Sequence, residues 1–313
     1  VRIIARSGNE DIATVFLAEM GGGKLAEFVE SVQPPIPREE KWVLILSTLY
    51  GCPVGCRFCD AGSHYDGKVS TEDLLAQIEY LVTRRYPDRK VPSGKFKVQF
   101  ARMGEPALNR GVLDVLAQLP TLYEAPGLLP CVSTIAPKGA EGFFSSLIDL
   151  KNRFYPGRFQ LQFSVHTTDL RLRDWIIPWQ KWDLADIAGF GESFYQEGDR
   201  KITLNFALAE GMPLDTETLL GLFSPEVFLI KITPVNPTYR AREHSISSGV
   251  PLGCEELDVV SRLEGAGYDV ILSIGELEEN HIGSNCGQHV LSHLRADRQI
   301  RDGYTYPLHC ESD

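Results

Sequence analysis

Short apolar runs alternate with longer amphipathic stretches along most of the chain, the pattern of parallel strands linked by crossover helices. The runs predict strands over 43–49, 96–103, 131–135, 159–166, 202–208, 227–232 and 270–274. Helices are predicted between them, over 112–119, 143–153, 184–194, 216–222, 255–266 and 288–295. The clearest helix precedes these: Ser70 with Asp73 three residues on makes a cap signal, and Leu74, Leu75, Ile78, Leu81 and Val82 then recur on one face. The expected fold is α/β, a partial (β/α)6 barrel with a C-terminal closing segment. Residues 1–40 read as an N-terminal extension, 41–275 as the partial barrel and 276–313 as the C-terminal segment.

Composition fits one enzyme-sized core, with 43% hydrophobic and 23% charged residues over 313 positions. No apolar stretch approaches the ~20 residues of a membrane span, and no basic-then-apolar leader is present, so the expectation is a cytoplasmic chain with no membrane partner. It begins at Val1 rather than a methionine, which leaves room for a longer native N-terminus. Seven cysteines, an odd count with three tightly spaced, suit a reducing compartment better than a disulfide framework. The net charge of −11 gives no general attraction to a polyanion and disfavours RNA as a partner. Arg240 and Arg242 offer at most a local basic face.

Candidate chemistry begins at Cys52, Cys56 and Cys59, a CxxxCxxC triplet directly after the first predicted strand. Three thiolates can ligate three irons of a 4Fe-4S cube and leave the fourth iron open, whereas an electron-carrying cluster is normally closed by four cysteines. A zinc knuckle would need a fourth ligand, for which His64 is the nearby candidate. Parallel barrels place catalytic groups at the carboxyl ends of their strands. Gly104-Glu105-Pro106, Ser133 with Thr134, Ser164 with His166, and Asn236 all fall there. The cysteine spacing resembles the radical S-adenosylmethionine (SAM) superfamily. That resemblance implies a 4Fe-4S cluster and SAM as cofactors and a reductant such as flavodoxin or ferredoxin as a partner. SAM needs an acceptor for its ammonium, partners for its carboxylate and ribose, and a flat wall for adenine. Glu105, Ser133, Ser164, His166 and Phe58 are of those types.

Further motifs narrow the resemblance. Met103-Gly104-Glu105-Pro106-Ala107-Leu108-Asn109, Phe163-Ser164-Val165-His166, Arg173-Asp174-Trp175-Ile176-Ile177-Pro178, Val235-Asn236-Pro237 and Asn285-Cys286-Gly287-Gln288 resemble, in order and approximate spacing, the RlmN/Cfr branch, which methylates adenine carbons in RNA. It implies SAM contacts at Gly104, Glu105, Ser133, Ser164, Val165, His166 and Asn236, and a methyl-carrying role for Cys286. In the implied cycle one SAM methylates the cysteine and a second yields a radical that takes hydrogen from the S-methyl group. The resulting methylene radical adds to an electron-poor ring carbon.

The chain departs from that branch at two positions. The family's second cysteine, seven positions before the cluster's first, is Ile45 here. A family glutamate before a Thr-Val pair is matched by Ala13 before Thr14-Val15. Cys131, Cys254 and Cys310 are the thiols left to replace the missing cysteine. The expected function is therefore methyl or methylene transfer through Cys286 to a small-molecule or non-ribosomal substrate. The alternatives are a radical SAM enzyme that only abstracts hydrogen, rearranges or adenosylates, and a noncatalytic iron-sulfur regulator or RNA-binding module. Asp169, Glu210, Glu276, Glu278 and Glu279 are candidate acids and bases with solvation as their default. Trp175, Trp179 and Trp182 read as packing.

Overall fold

The computed structural model describes residues 1–250, 257–297, 299–300 and 302–310. Three antiparallel strands open the chain, β1 (Arg2–Gly8), β2 (Ala13–Glu19) and β3 (Leu25–Ser31), and β3 pairs antiparallel with β4 (Lys41–Leu46). A hairpin of β5 (Leu49–Gly51) and β6 (Tyr65–Lys68) stands apart and flanks the cysteine loop. From β4 onward the sheet is parallel, through β7 (Lys95–Phe100), β8 (Leu128–Thr134), β9 (Gln160–Ser164), β10 (Ile202–Leu208), β11 (Phe228–Pro234) and β12 (Val270–Leu272). Among the described residues these strands, with β13 (His309–Cys310) on β1, form an eleven-stranded sheet with order 12-11-10-9-8-7-4-3-2-1-13. The expected α/β fold with helical crossovers is present, and β12 and β13 are the two edges of the sheet.

The crossovers are α1 (Thr71–Arg85), α2 (Gly111–Leu122), α3 (Glu141–Phe154), a short α4 (Leu170–Ile176) with α5 (Leu184–Phe194), α6 (Thr216–Leu222), and a short α7 (Tyr239–Glu243) with α8 (Asp258–Gly265). The Ser70 hydroxyl accepts from the Asp73 amide, as the cap signal predicts. Asp183 and Asp215 start α5 and α6 in the same way. Apolar strand positions such as Phe96, Val98, Phe100, Phe163, Phe206 and Ile230 pack with Leu74, Ile78, Leu116, Leu147, Ile187 and Leu219 of the helices in one continuous core. Helix 255–266 is seen from Asp258, and its first expected residues lie outside the described ones.

The N-terminal residues, expected only as an extension, add three strands to the sheet. Their β2 run, Ala-Thr-Val-Phe-Leu-Ala, is buried on both faces. Phe16 and Ala18 join the main core, while Ala13, Val15 and Leu17 are covered by Ile282, Val290 and Leu291 of the C-terminal segment. That segment carries α9 (Leu277–Ile282) and α10 (Val290–Leu294). Its docking on β2 brings the intervening loop, with Cys286, to the carboxyl ends of the parallel strands.

Candidate active site

Cys52, Cys56 and Cys59 line a cavity that Cys286, from the C-terminal segment, also lines. The loop holding the triplet is fixed by its own backbone. Cys59 donates its amide to the Cys56 carbonyl at 3.1 Å, and the Cys52 amide donates to the His64 carbonyl at 2.9 Å. Arg240 donates to the Cys56 and Gly55 carbonyls, each at 3.1 Å, so the residue read as a basic surface clamps the cluster loop. Asp60 accepts from the Tyr239 and Arg240 amides and the Tyr304 hydroxyl. The Asp60 amide then donates to the Gly287 carbonyl at 2.8 Å, joining the triplet directly to the Cys286 loop. Burial raises all three cluster thiols, Cys52 to about 12, and at Cys56 and Cys59 repulsion among the neighbouring sulfurs adds to it. Thiols this reluctant to ionise alone suit a cationic centre that removes their protons.

Glu105 follows β7 and is buried. Its Oε1 accepts from the Ala107 amide at 3.0 Å and from the Thr134 hydroxyl, and its Oε2 accepts from the Ile135 amide at 2.9 Å. Burial pushes its carboxyl up to about 7 against the pull of these three donors. A carboxylate has about four lone-pair sites, so one acceptor position remains for a ligand. Gly104 makes the turn at φ +100°, and a Cβ there would lie 2.5 Å from Leu49; no other residue fits. His166, at φ +68°, accepts from the Ala207 amide through Nδ1 at 3.0 Å. Its proton therefore sits on Nε2 as a donor, and burial holds the ring neutral, down to about 3. The Phe58 ring stands edge-on to His166 with centroids 4.9 Å apart.

Ser133 and Ser164 line the cavity with these groups. Two of the expected site residues do not. Val165 is fully buried in the helix-side core, because the alternation that turns Ser164 inward turns its neighbour outward. Asn236 donates to the Cys286 carbonyl at 2.8 Å and so holds the loop. His64 is not a wall residue; its ring stacks on His289 at 5.9 Å. Among the described residues no three His, Cys, Asp or Glu side chains converge on a single-ion site, and a cube differs from zinc in taking one thiolate on each of three irons.

Reading by sequence misses the brace behind Cys286. Arg102 donates to Glu27 Oε2 at 2.8 Å and to the carbonyls of Gly283, Ser284 and Asn285 at 2.7, 3.3 and 3.4 Å. Glu27 also accepts from the Leu291 amide at 2.6 Å and faces His289 Nε2 at 3.4 Å. A carboxylate from the N-terminal strands therefore does reach this loop, from position 27 on β3. Ala13, where one was sought, packs among apolar residues with Ile45. Cys131 is buried and accepts from Gln162 at 2.8 Å, Cys310 lies on β13 at the far edge of the sheet, and Cys254 lies outside the described residues.

Other candidates have structural partners. Asp169 caps α4, Glu276 and Glu279 form the capping box of α9, Glu278 accepts from Asn9 and Tyr306, and Glu210 accepts from Ser247. Trp182 packs against Phe144 and Phe190, Trp179 joins an apolar cluster, and Trp175 carries Arg57 on its face.

No family model matches the chain. It is 26% identical over 298 residues to the probable dual-specificity RNA methyltransferase RlmN of Desulfitobacterium hafniense, covering 92% of this chain and 78% of that one. To the RlmN of Helicobacter hepaticus it is 25% identical over 268 residues, 82% of this chain and 68% of that one. The match to the RlmN of Acaryochloris marina spans 63% of that protein's length. The fold matches a radical SAM methyltransferase from Sphaerobacter thermophilus with a TM-score of 0.68 at 19% identity, over 92% of this chain and 81% of that one.

This chain resembles the RlmN methyltransferases in sequence and shares the fold of a radical SAM methyltransferase. A 4Fe-4S cluster and SAM are the cofactors that this likeness implies. The three crowded thiols and the one acceptor position left on Glu105 fit that pair. Among the described residues no helix is long and apolar enough to cross a membrane.

Proposed function

We propose that this RlmN/Cfr-like protein is a radical SAM enzyme that passes a one-carbon group through Cys286 to a carbon of a small-molecule or non-ribosomal substrate. The observation that carries the reading is the entry of Cys286 into the cavity of Cys52, Cys56 and Cys59, held there by Arg102, Asn236 and Asp60. When bound, the cluster supplies the electron that splits a carbon–sulfur bond of SAM. Glu105 takes the ammonium with its remaining acceptor position, and His166 Nε2 donates to a ligand oxygen. Phe58 gives an apolar wall.

Cys286 is open to the cavity but enclosed by protein, so burial raises its thiol, while Lys231 and Arg102 pull the other way. Those two cations favour the thiolate that accepts a methyl group. Gly287, at φ +83°, would put a Cβ 3.2 Å from the Phe58 carbonyl, which keeps the thiol loop close against the cluster loop. An outside reductant and the substrate are the partners this chemistry needs. The replacement Cys286→Ala tests the reading: product formation should cease while SAM is still cleaved to 5′-deoxyadenosine at a slower, uncoupled rate. Unchanged product formation would overturn it.

A further inference from the structure

Lysines line the helix-free face of the parallel sheet, and among the described residues Lys95, Lys97 and Lys231 form no ion pair with a carboxylate. On β7, Phe96, Val98 and Phe100 pack toward the helices, so Lys95, Lys97 and Gln99 face the other way. Gln99 lines the cavity. Lys97 lies two residues deeper, about 7 Å along the strand. On β11, Lys231 lines the same cavity from the other side, close enough to Cys286 for its charge to act on that thiol. Lys41 on β4 is in register with Lys95 and extends the row.

These cations repel one another. Burial, then Lys41, Arg200 and Lys97, bring Lys95 down to about 8, and burial with Lys97 lowers Lys231. The buried Lys151 and Lys181 each pair with an aspartate. Among the described residues Lys95, Lys97 and Lys231 have no such pair; Glu279 acts on Lys231 only at longer range. In a chain of net charge −11 this inward concentration of positive charge is local. These three lysines are half-buried, so their unpaired charges lose part of their hydration, and a bound counter-charge offsets that loss.

We propose that this face is a subsite for an oxyanion of the substrate, a phosphate or carboxylate carried by a small molecule and held by Lys97 and Lys231. The inference deepens the proposed function and rests on it for the identity of the site. The subsite lies below the rim: Lys97 is three residues before the end of β7, about 10 Å from the strand end where Glu105 and His166 gather. An anchored anion there points the rest of a small substrate up toward Cys286. A long polyanion would instead seek charge on the outer surface.

The test is calorimetric titration of the full chain, anaerobic and with its cluster assembled, using inorganic phosphate and acetate in separate experiments. Wild type should bind at least one anion, and Lys97→Met and Lys231→Met should each weaken it about tenfold or more; SAM binding should be unchanged in Lys97→Met, whose lysine lies below the SAM contacts. Preference for phosphate assigns a phosphorylated substrate, and preference for acetate a carboxylic acid. Thermal midpoints of the variants check folding. Failure of wild type to bind either anion, or equal binding by the variants, an adventitious ion only, would overturn the subsite. Anion titrations are run without SAM, so failure of SAM to bind would count against the proposed function alone.

Discussion

Neighbouring residues of one strand serve opposite faces of the sheet. Phe163 is fully buried among helix side chains, and Ser164 beside it opens into the cavity. The same contrast separates Phe100 from Gln99, Phe206 from Asn205 and Ile230 from Lys231. The covered face supplies burial that holds the fold together. The open face is lined by thiols, amides, hydroxyls and lysines that add little to burial and give the site its chemistry. Stability and function are therefore separable residue by residue along a strand.

The largest effect should come from the open face. Replacing Cys56 by Ala should abolish the cluster, read as loss of iron and of its visible absorbance, while the apoprotein still folds. Full iron content in that variant would remove the triplet from the account.

On the covered face, Phe163→Ala should cost about 3–5 kcal/mol in denaturant unfolding of the apoprotein. Its neighbour Ser164→Ala should stay within about 0.5 kcal/mol and instead weaken SAM binding. Equal costs for the pair would break the distinction between the faces.

Arg102 tests where the faces meet. Its guanidinium neutralises Glu27, which is fully buried, so Arg102→Met should cost about 3 kcal/mol by leaving a buried carboxylate without its partner. It should also free the Cys286 loop, read as faster alkylation of Cys286 relative to Cys310.

A smaller, pH-dependent effect belongs to His289, which faces Glu27 and stacks on His64. Burial lowers His289 to about 4, so between about 6.5 and 4 the unfolded chain binds the proton that the folded chain refuses. Stability should therefore fall as pH drops through this window, by roughly 2–3 kcal/mol at 1.36 kcal/mol per unit. His289→Asn should flatten the curve in urea titrations across that range. A slope that survives the substitution would assign it to another group.

Much of the covered face was legible in the sequence. The expected strand 202–208 and helices 184–194 and 216–222 coincide with β10, α5 and α6, because apolar periodicity and an aspartate cap act within a few residues. The thiol triplet and the Gly104-Glu105 turn are likewise local signals. Strands β1–β3 were not read because β2 is buried on its second face by a segment some 270 residues later, and neither end of the chain announces the other. The Glu27–Arg102 pair spans 75 residues and escapes for the same reason. Lys97, Gln99 and Lys231 had a signal. They are polar residues at alternate positions within apolar runs, which marks a strand with one polar face.

The central claim is that Cys286 carries a one-carbon group at the cluster's wall of the cavity. Peptide mass spectrometry around Cys286, after anaerobic incubation of the cluster-loaded protein with methyl-deuterated SAM, tests it most directly. A labelled S-methyl group on Cys286, absent from Cys131 and Cys310, is the predicted result. An unmodified Cys286 in protein that has cleaved SAM to 5′-deoxyadenosine would contradict the claim and leave hydrogen abstraction as the chemistry of the site.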